Sequence, residues 1–555
     1  MRRRSLTVVA ATLLALAMAP PALAADERVT VDDTAGSYLR YDGGTDETLE
    51  RCSVGRRQQN EPTVAVNPNN PQVVVAGSND YCAAIVNNEV WTGYYRSVNG
   101  GDTWTNSLVP GYPDDESEAG LASPVHGTCG AAGDPTQSFD ADGNLFYGFI
   151  CFNRVKPING GVYVAKYTDD GATYDRTTLV KRGTPSGQFT AGAFQDKINL
   201  TVDQTDGEHG GNVYVAWSEY HAFGPANGVL FARSTDGGVS FDRSFRVTPV
   251  EHGTGSFTDL AVGPDGTVWL TYITYASSSR PTTDIWLLSS TDGGRSFGDP
   301  EHVASISRFD SDLFTGGTGG VDCGDGPFEC PSGFIFSRFF SNSAVAADDD
   351  GAHVVWAGRL ENGQSKVWAR TFADGEWSEP ATIDEVPTGH QWMPDIASAE
   401  GTITVVFYDS RTDPGYAPNR PPGNTATGNN SGNVVHTWMA TSTDGGSTWS
   451  ETQLTTAGSN FGWMTHGSRR VGFWGDYIYV SAVPGAVNAV WTDSRDLVPG
   501  LDERAGANSK GFSVFQDDCT YVPNEIDAPA YTSPTIDDPC LDDGGLDQNI
   551  YGTRL

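Results

Sequence analysis

One eight-residue pattern recurs five times in this chain and constrains its fold more than any other feature. It stands as SVNGGDTW at 97–104, YTDDGATY at 167–174, STDGGVSF at 234–241, STDGGRSF at 290–297 and STDGGSTW at 442–449. The third position is Asn99, Asp169, Asp236, Asp292 or Asp444; the fifth is always Gly, the seventh Thr or Ser, the eighth aromatic. A worn copy, TFADGEW, lies at 371–377. The pattern predicts a hairpin turn. An Asp or Asn side chain accepts hydrogen bonds from the amides of its own turn, and Gly supplies the positive φ that closes it. The aromatic residue opens the next strand and packs between neighbouring repeats. These five Asn and Asp residues are therefore expected to be structural.

Strand-like segments precede each copy, for example KINLTVD at 197–203, NVYVAWSEY at 212–220 and GVLFARS at 228–234. Each unit is a four-stranded meander with the turn between its third and fourth strands. First strands are expected to start near Glu61, Asp134, Asp196, Asp259, Ser343, Asp395 and Asp476, roughly 50 to 85 residues apart. Seven sheets stacked in a ring make an all-β fold, a β-propeller of four-stranded blades. Six blades remain open if the terminal segments complete a shared one. Gly, 66 of 555 residues, is concentrated in the tight turns this fold requires.

The repeat resembles the Asp-box, or bacterial neuraminidase repeat, of sialidase-like propellers, over roughly residues 55–516. The resemblance implies a propeller and a glycan-active site at one channel mouth. Sialidases bind the sugar carboxylate with three Arg, and use a Tyr nucleophile assisted by Glu and an Asp acid/base. Their Phe/Tyr-Arg-Ile/Leu-Pro motif is not matched: the corresponding stretch is RRQQNEPTVAV at 56–66, with Arg57 near the right place. No spacing selects the nucleophile among Tyr94, Tyr220, Tyr275, Tyr408 and others.

The meander puts the tight turns on one face and the long connections 107–132, 300–341 and 412–433 on the other, where function usually resides. The first-strand carboxylates Glu61, Asp134, Asp196, Asp259, Asp395 and Asp476 gather on that face, and are the candidate catalytic residues. Second strands end in Glu219, Arg359 and two matching runs, YDSRTD at 408–413 and TDSRD at 492–496, so that Asp409 and Arg411 mirror Asp493 and Arg495. Arg57, Arg359, Arg411 and Arg495 are the candidate substrate-binding residues. Three readings of this constellation stand side by side. The carboxylates cap strands and pair with neighbouring Arg; or they hold a cation such as a structural Ca²⁺, which takes several oxygen ligands; or they cleave glycosides, which takes two flanking carboxyl groups with one kept protonated by its surroundings. No cofactor is required, and metal ligands cannot be named. Trp392, Trp463 and Trp474 suit core packing better than sugar stacking, and His126, His221, His252 and His390 are scattered.

Residues 1–24 have the form of a signal peptide: Arg2 to Arg4, an apolar run, and Ala22-Leu23-Ala24 before the cleavage point. The chain then divides into an N-terminal segment 25–55, a propeller 56–516 and an acidic C-terminal segment 517–555. Export to an oxidising compartment suits the eight cysteines, for which local pairing predicts Cys52–Cys82, Cys129–Cys151, Cys323–Cys330 and Cys519–Cys540. The formal net charge of −36 argues against nucleic acid and anionic membranes as partners, and no later segment is apolar enough to span a bilayer. The expectation is a secreted monomer directed at carbohydrate. Its activity is that of a glycoside hydrolase of the exo-α-sialidase kind or, alternatively, it is a non-catalytic glycan-binding, cell-wall-binding or scaffold propeller.

Overall fold

A computed structural model describes residues 26–54, 58–83, 90–153, 160–184, 193–221, 227–275, 282–306, 343–418, 434–459, 474–496 and 548–555, with two short strand pairs at 321–322/329–330 and 424–425/428–429. The chain forms a seven-bladed β-propeller of four-stranded antiparallel blades, with an extra short edge strand in the fifth. From the axis outwards, blade one is Gln59–Val66, Val74–Asp80, Trp91–Ser97 and Thr105–Leu108. The inner strands of blades two to six are Ala131–Phe139, Ala193–Val202, Gly255–Val262, Ser343–Asp348 and Gln391–Ala399. Each inner strand packs on the next around the ring.

Blade seven is built from both ends of the chain. Its inner strands are Tyr479–Val483 and Ala486–Asp493; the third is Asn549–Arg554 and the outermost Glu27–Arg28. Seven blades are therefore complete, and the strands that finish the ring lie outside the span 56–516. This also explains why blade seven lacks the repeated turn: its third and fourth strands belong to opposite ends of the chain, so no hairpin joins them. Blade seven meets blade one through Gln59 N donating to Gln548 O at 2.8 Å and Val66 N to Ser481 Oγ at 3.1 Å. Arg495 holds the N-terminal segment through Asp26 at 2.5 Å.

The repeated turns share one hydrogen-bond scheme in blades one, three, four and six. In blade three, Ser234 Oγ donates to Asp236 Oδ1 at 2.7 Å and accepts from Gly238 N at 2.9 Å; Ser240 donates its amide to Oδ1 at 3.0 Å and its hydroxyl to Oδ2 at 2.6 Å. The turns at Asp292 and Asp444 repeat it, and so does that at Asn99 except that Asn99 Nδ2 donates to the Thr103 hydroxyl at 3.0 Å. Desolvation opposes ionisation of Asp236, yet the donations from Ser240 and Ser234 outweigh it and hold the carboxyl at about 2. The blade-two turn differs because Tyr167 replaces the Ser, and the backbone closes instead through positive φ at Asp169 and Asp170.

Each turn also nests on the preceding blade. A Cβ on Gly294 would stand 2.8 Å from Phe231, so Gly is needed there for space as well as for its φ of +74°. The residue just before one turn donates to a carbonyl of the next: Arg96 to Asp170 O at 3.0 Å, Lys166 to Gly237 O at 3.2 Å, Arg233 to Gly293 O at 2.6 Å.

Disulfides join Cys52 to Cys82 and Cys129 to Cys151, as local pairing predicts. Cys323, Cys519 and Cys540 lie outside the described residues, and with them both remaining pairs. Ile550, fully buried in the core that blades one, two and seven share, is a direct probe of ring closure. Ile550→Ala is expected to cost about 2–5 kcal/mol, and deletion of 548–555 to abolish cooperative melting in calorimetry. A deleted chain that melts like its parent would remove this strand from the ring.

Candidate functional site at the channel mouth

The inner strands of blades one, two, three, four and six carry the same irregularity. Their register with the second strand shifts between Asn60 and Thr63, Gly133 and Thr136, Asp196 and Asn199, Ser256 and Asp259, and Trp392 and Asp395. Within each shift one non-glycine residue has positive φ: Glu61 (55°), Asp134 (52°), Lys197 (51°), Phe257 (50°) and Met393 (49°). A bulge re-aims a side chain at the expense of local backbone strain, and five equivalent bulges gather these residues at one end of the channel.

Five of the six sequence-predicted carboxylates therefore occupy three different registers. Glu61 and Asp134 stand on the bulge, Asp196 just before it, and Asp259 and Asp395 two residues after it. Asp476 precedes Tyr477 and Tyr479 at the entry to blade seven. One half of the mouth is charged. The Lys197 ammonium contacts Asp476 and lies 3.6 Å from Glu61 Oε1, so blade three reaches blades seven and one. The Phe257 and Tyr477 rings flank it, with centroids at 5.1 and 5.2 Å. Glu61 Oε2 accepts from Asn79 Nδ2 at 2.7 Å, Asp134 Oδ2 from Lys197 N at 3.0 Å, and Asp196 Oδ1 from the same amide at 3.1 Å. Burial pushes the Asp134 carboxyl up to about 6; the Lys197 ammonium opposes this and the Asp196 charge reinforces it. Burial works against the Lys197 charge, but Asp476 and then Glu61, Asp134 and Asp196 more than reverse it.

The other half holds Asp259 and Asp395. Asp259 accepts from Val345 N and Asn199 Nδ2, both at 2.7 Å, and Asp395 from Val480 N at 2.7 Å. Burial pushes Asp259 up to about 7; burial and then the Asp259 charge push Asp395 well above the usual range. Asn199 Nδ2 also donates to Tyr479 OH at 2.5 Å. A cavity of about 40 Å³ lies here, lined by residues that include Lys197, Asn199, Asp259, Asp395, Tyr477 and Tyr479. That is room for about two or three waters.

The candidate arginines divide. Arg411 makes a two-pronged pair with Asp409 (Nη2 2.6 Å, Nε 2.9 Å), meets Glu451 at 2.8 Å and stacks on Trp438 at 3.8 Å. Arg495 repeats the pair with Asp493 (2.6 and 3.0 Å) and stacks on Tyr551 at 4.2 Å. The two matching runs are thus matching clamps inside blades six and seven. Arg359 ends the second strand of blade five. Arg57 and Trp463 lie outside the described residues. Trp392 and Trp474 are core residues. Of the candidate tyrosines, Tyr408 OH donates to Thr492 O at 2.9 Å, Tyr94 OH to Gly171 O, and Tyr220 OH lies 2.5 Å from Ser256 Oγ.

Lys197, Asn79, Asn199, Phe257, Tyr477 and Tyr479 are at the mouth and were not singled out from the sequence. Aligning the five bulged first strands by their bulges, rather than by their carboxylates, brings Lys197 and Phe257 to the positions of Glu61 and Asp134. Among the described residues no group of three or more His, Cys, Asp or Glu is arranged to hold a metal ion, and no helix is long and apolar enough to cross a membrane.

No protein-family model matches the chain, and no curated protein matches it in sequence. Among solved structures it is similar to the leech intramolecular trans-sialidase complexed with 2,7-anhydro-Neu5Ac (TM-score 0.40, 11% identity, 66% of this chain and 69% of that one). It is also similar to the Ruminococcus gnavus intramolecular trans-sialidase (0.40, 10%, 64% and 90%) and the Penicillium chrysogenum α-L-arabinanase complexed with arabinobiose (0.41, 13%, 70% and 94%). Likeness at this level leaves the chemistry to this chain's own residues.

Two predictions follow from the buried charges. Lys197→Met leaves Glu61 and Asp476 without their shared ammonium, and is expected to cost about 3–5 kcal/mol in denaturant unfolding; an unchanged midpoint would remove the ammonium as a staple. Separately, Asp134 and Asp80, the latter also pushed up to about 6 by burial, are favoured protonated by folding. Their contribution is complete below pH about 4 and lost as pH rises through about 6. Asp236 and Asp348, held at about 2, act oppositely: their contribution is present above pH about 4 and lost towards pH 2. The melting temperature should peak at pH about 4–5. A rise between pH 5 and 7 would contradict these assignments.

Proposed function

We propose that this chain is a secreted, carbohydrate-directed propeller, that its repeated turn is the Asp-box of sialidase-like folds, and that its channel mouth hydrolyses glycosidic bonds. The observation that carries this reading is the contrast inside one cluster. Asp134 is pushed up to about 6, so it still holds a proton in mildly acidic solution, while Glu61 and Asp476 face the Lys197 ammonium. Glycoside cleavage needs one carboxyl group that keeps its proton beside a second carboxylate. Asp134 is the proton donor to the leaving oxygen, and Glu61 the carboxylate that supports the developing positive charge on the sugar. Phe257 and Tyr477 offer apolar faces beside them. For an exo-α-sialidase, Arg57 and Arg359 are the candidates for the sugar carboxylate.

A second reading has its own support. Each of the six carboxylates has a bond to a backbone amide, an Asn side chain or Lys197, and the cavity of about 40 Å³ takes water and not a sugar ring. On this reading the propeller binds glycan or cell-wall polymer, or acts as a scaffold, through its loop face without cleaving anything.

A screen of fluorogenic glycosides, a sialoside included, at pH 4–8 separates the two. Hydrolysis predicts turnover that Asp134→Asn and Glu61→Gln each lower about 100-fold or more, with melting temperatures close to the parent's. Glycan binding without turnover on any substrate establishes the second reading.

A further inference from the structure

The half of the mouth that holds Asp259 and Asp395 has an unbalanced requirement. Asp259 and Asp395 both border the small cavity, and the one ammonium that borders it with them, that of Lys197, is turned to Asp476 and Glu61. Two buried carboxylates side by side repel, and either a shared proton or a cation must relieve them. The cavity also has two hydroxyl-bearing walls. Thr258 and Ser343 line it, they are 7% and 1% exposed, and the Oγ1 of one and the Oγ of the other are buried without a hydrogen-bond partner. Buried hydroxyls are nearly always satisfied, so a pair left over at one cavity points to an occupant that oxygen atoms would hold.

We propose that this cavity binds a hard divalent cation of the calcium class, held by the Asp259 and Asp395 carboxylates, with the Thr258 and Ser343 hydroxyls and water completing the oxygen shell. Two carboxylates match a dication in charge. Neutral hydroxyl and water oxygens suit Ca²⁺, which accepts six to eight oxygens in flexible geometry, better than Mg²⁺, which demands a near-ideal octahedron. About 40 Å³ accommodates an ion with a water or two. The ligands come from blades four, five and six, which the Lys197 ammonium does not join. The cation would do for those blades what Lys197 does for blades one, three and seven. Its role is to hold the mouth together, and it takes no part in the proton transfer assigned to Asp134.

The test uses the full-length secreted protein, stripped with EDTA and dialysed. Titration calorimetry with CaCl₂ should show one site per chain, and Ca²⁺ at about 100 times its Kd should raise the melting temperature by about 2 °C. Mg²⁺ at the same concentration should do markedly less. The Asp259→Asn/Asp395→Asn double variant should lose the response. Ser343→Ala, which removes one neutral donor and leaves the charge alone, should weaken Kd about tenfold, and serves where the double variant does not fold. No heat and no melting shift up to millimolar Ca²⁺ overturns the proposal; so does an undiminished response in these variants, or equal stabilisation by Mg²⁺. Each readout is binding or melting, so the outcome is independent of whether any glycoside is cleaved.

Discussion

The ammonium of Lys197 is the interaction on which the arrangement of the channel mouth depends. Four carboxylates from blades one, two, three and seven meet it or its backbone amide. Ion pairs at this depth give little net stability over an apolar core, because desolvation of both partners offsets their attraction. Their consequence is specificity. An apolar plug would accept several rotations of one blade against the next, whereas one ammonium with two anionic contacts and two flanking rings accepts one. Lys197 also sits at positive φ, a conformation unfavourable for a long side chain. The surrounding blades must hold it there, so the strained bulge and the ionic cluster support each other.

Ring closure answers a different constraint. An open stack of blades leaves the apolar faces of its first and last sheets exposed unless it returns on itself. Here the last blade takes its third strand from residues 549–554 and its outermost from residues 27–28, so segments far apart in sequence close the ring. The Arg495 clamp then has a clear purpose. It locks onto Asp493 within the blade and reaches Asp26, fastening the N-terminal strand from behind. Arg411 repeats the clamp in blade six with Glu451 in place of Asp26. Conserving one geometry while changing the outer partner is what a repeat does when one copy acquires a closing role.

The turns were legible in the sequence because their chemistry is local. Ser234, Asp236, Gly238 and Ser240 bond one another at separations of two and four residues, so spacing alone encodes the geometry. The likeness of Asp409 and Arg411 to Asp493 and Arg495 was legible for the same reason, but the sequence offered both Arg as substrate-binding candidates, and only the structure shows each one closed on its own Asp. The carboxylates were only partly legible. Aligning Glu61, Asp134, Asp196, Asp259, Asp395 and Asp476 as strand starts found the right end of the right strands. It missed the bulge, which moves five of these residues into three registers and brings Lys197, Phe257 and Met393 to the positions of Glu61 and Asp134.

Sequence by itself thus determined the propeller, the place of its turns, the two described disulfides and the face that gathers charge, all of them consequences of neighbours along the chain. The sequence also counted seven first strands, with six blades left open; tertiary structure alone decided that residues 27–28 and 549–554 complete the seventh blade, and which acids share an ammonium and which are left beside a cavity. Those outcomes turn on residues far apart in sequence, Lys197 with Asp476 or Asp259 with Asp395. Burial and pairing set the charge of such groups, and neither exists until the ring is closed.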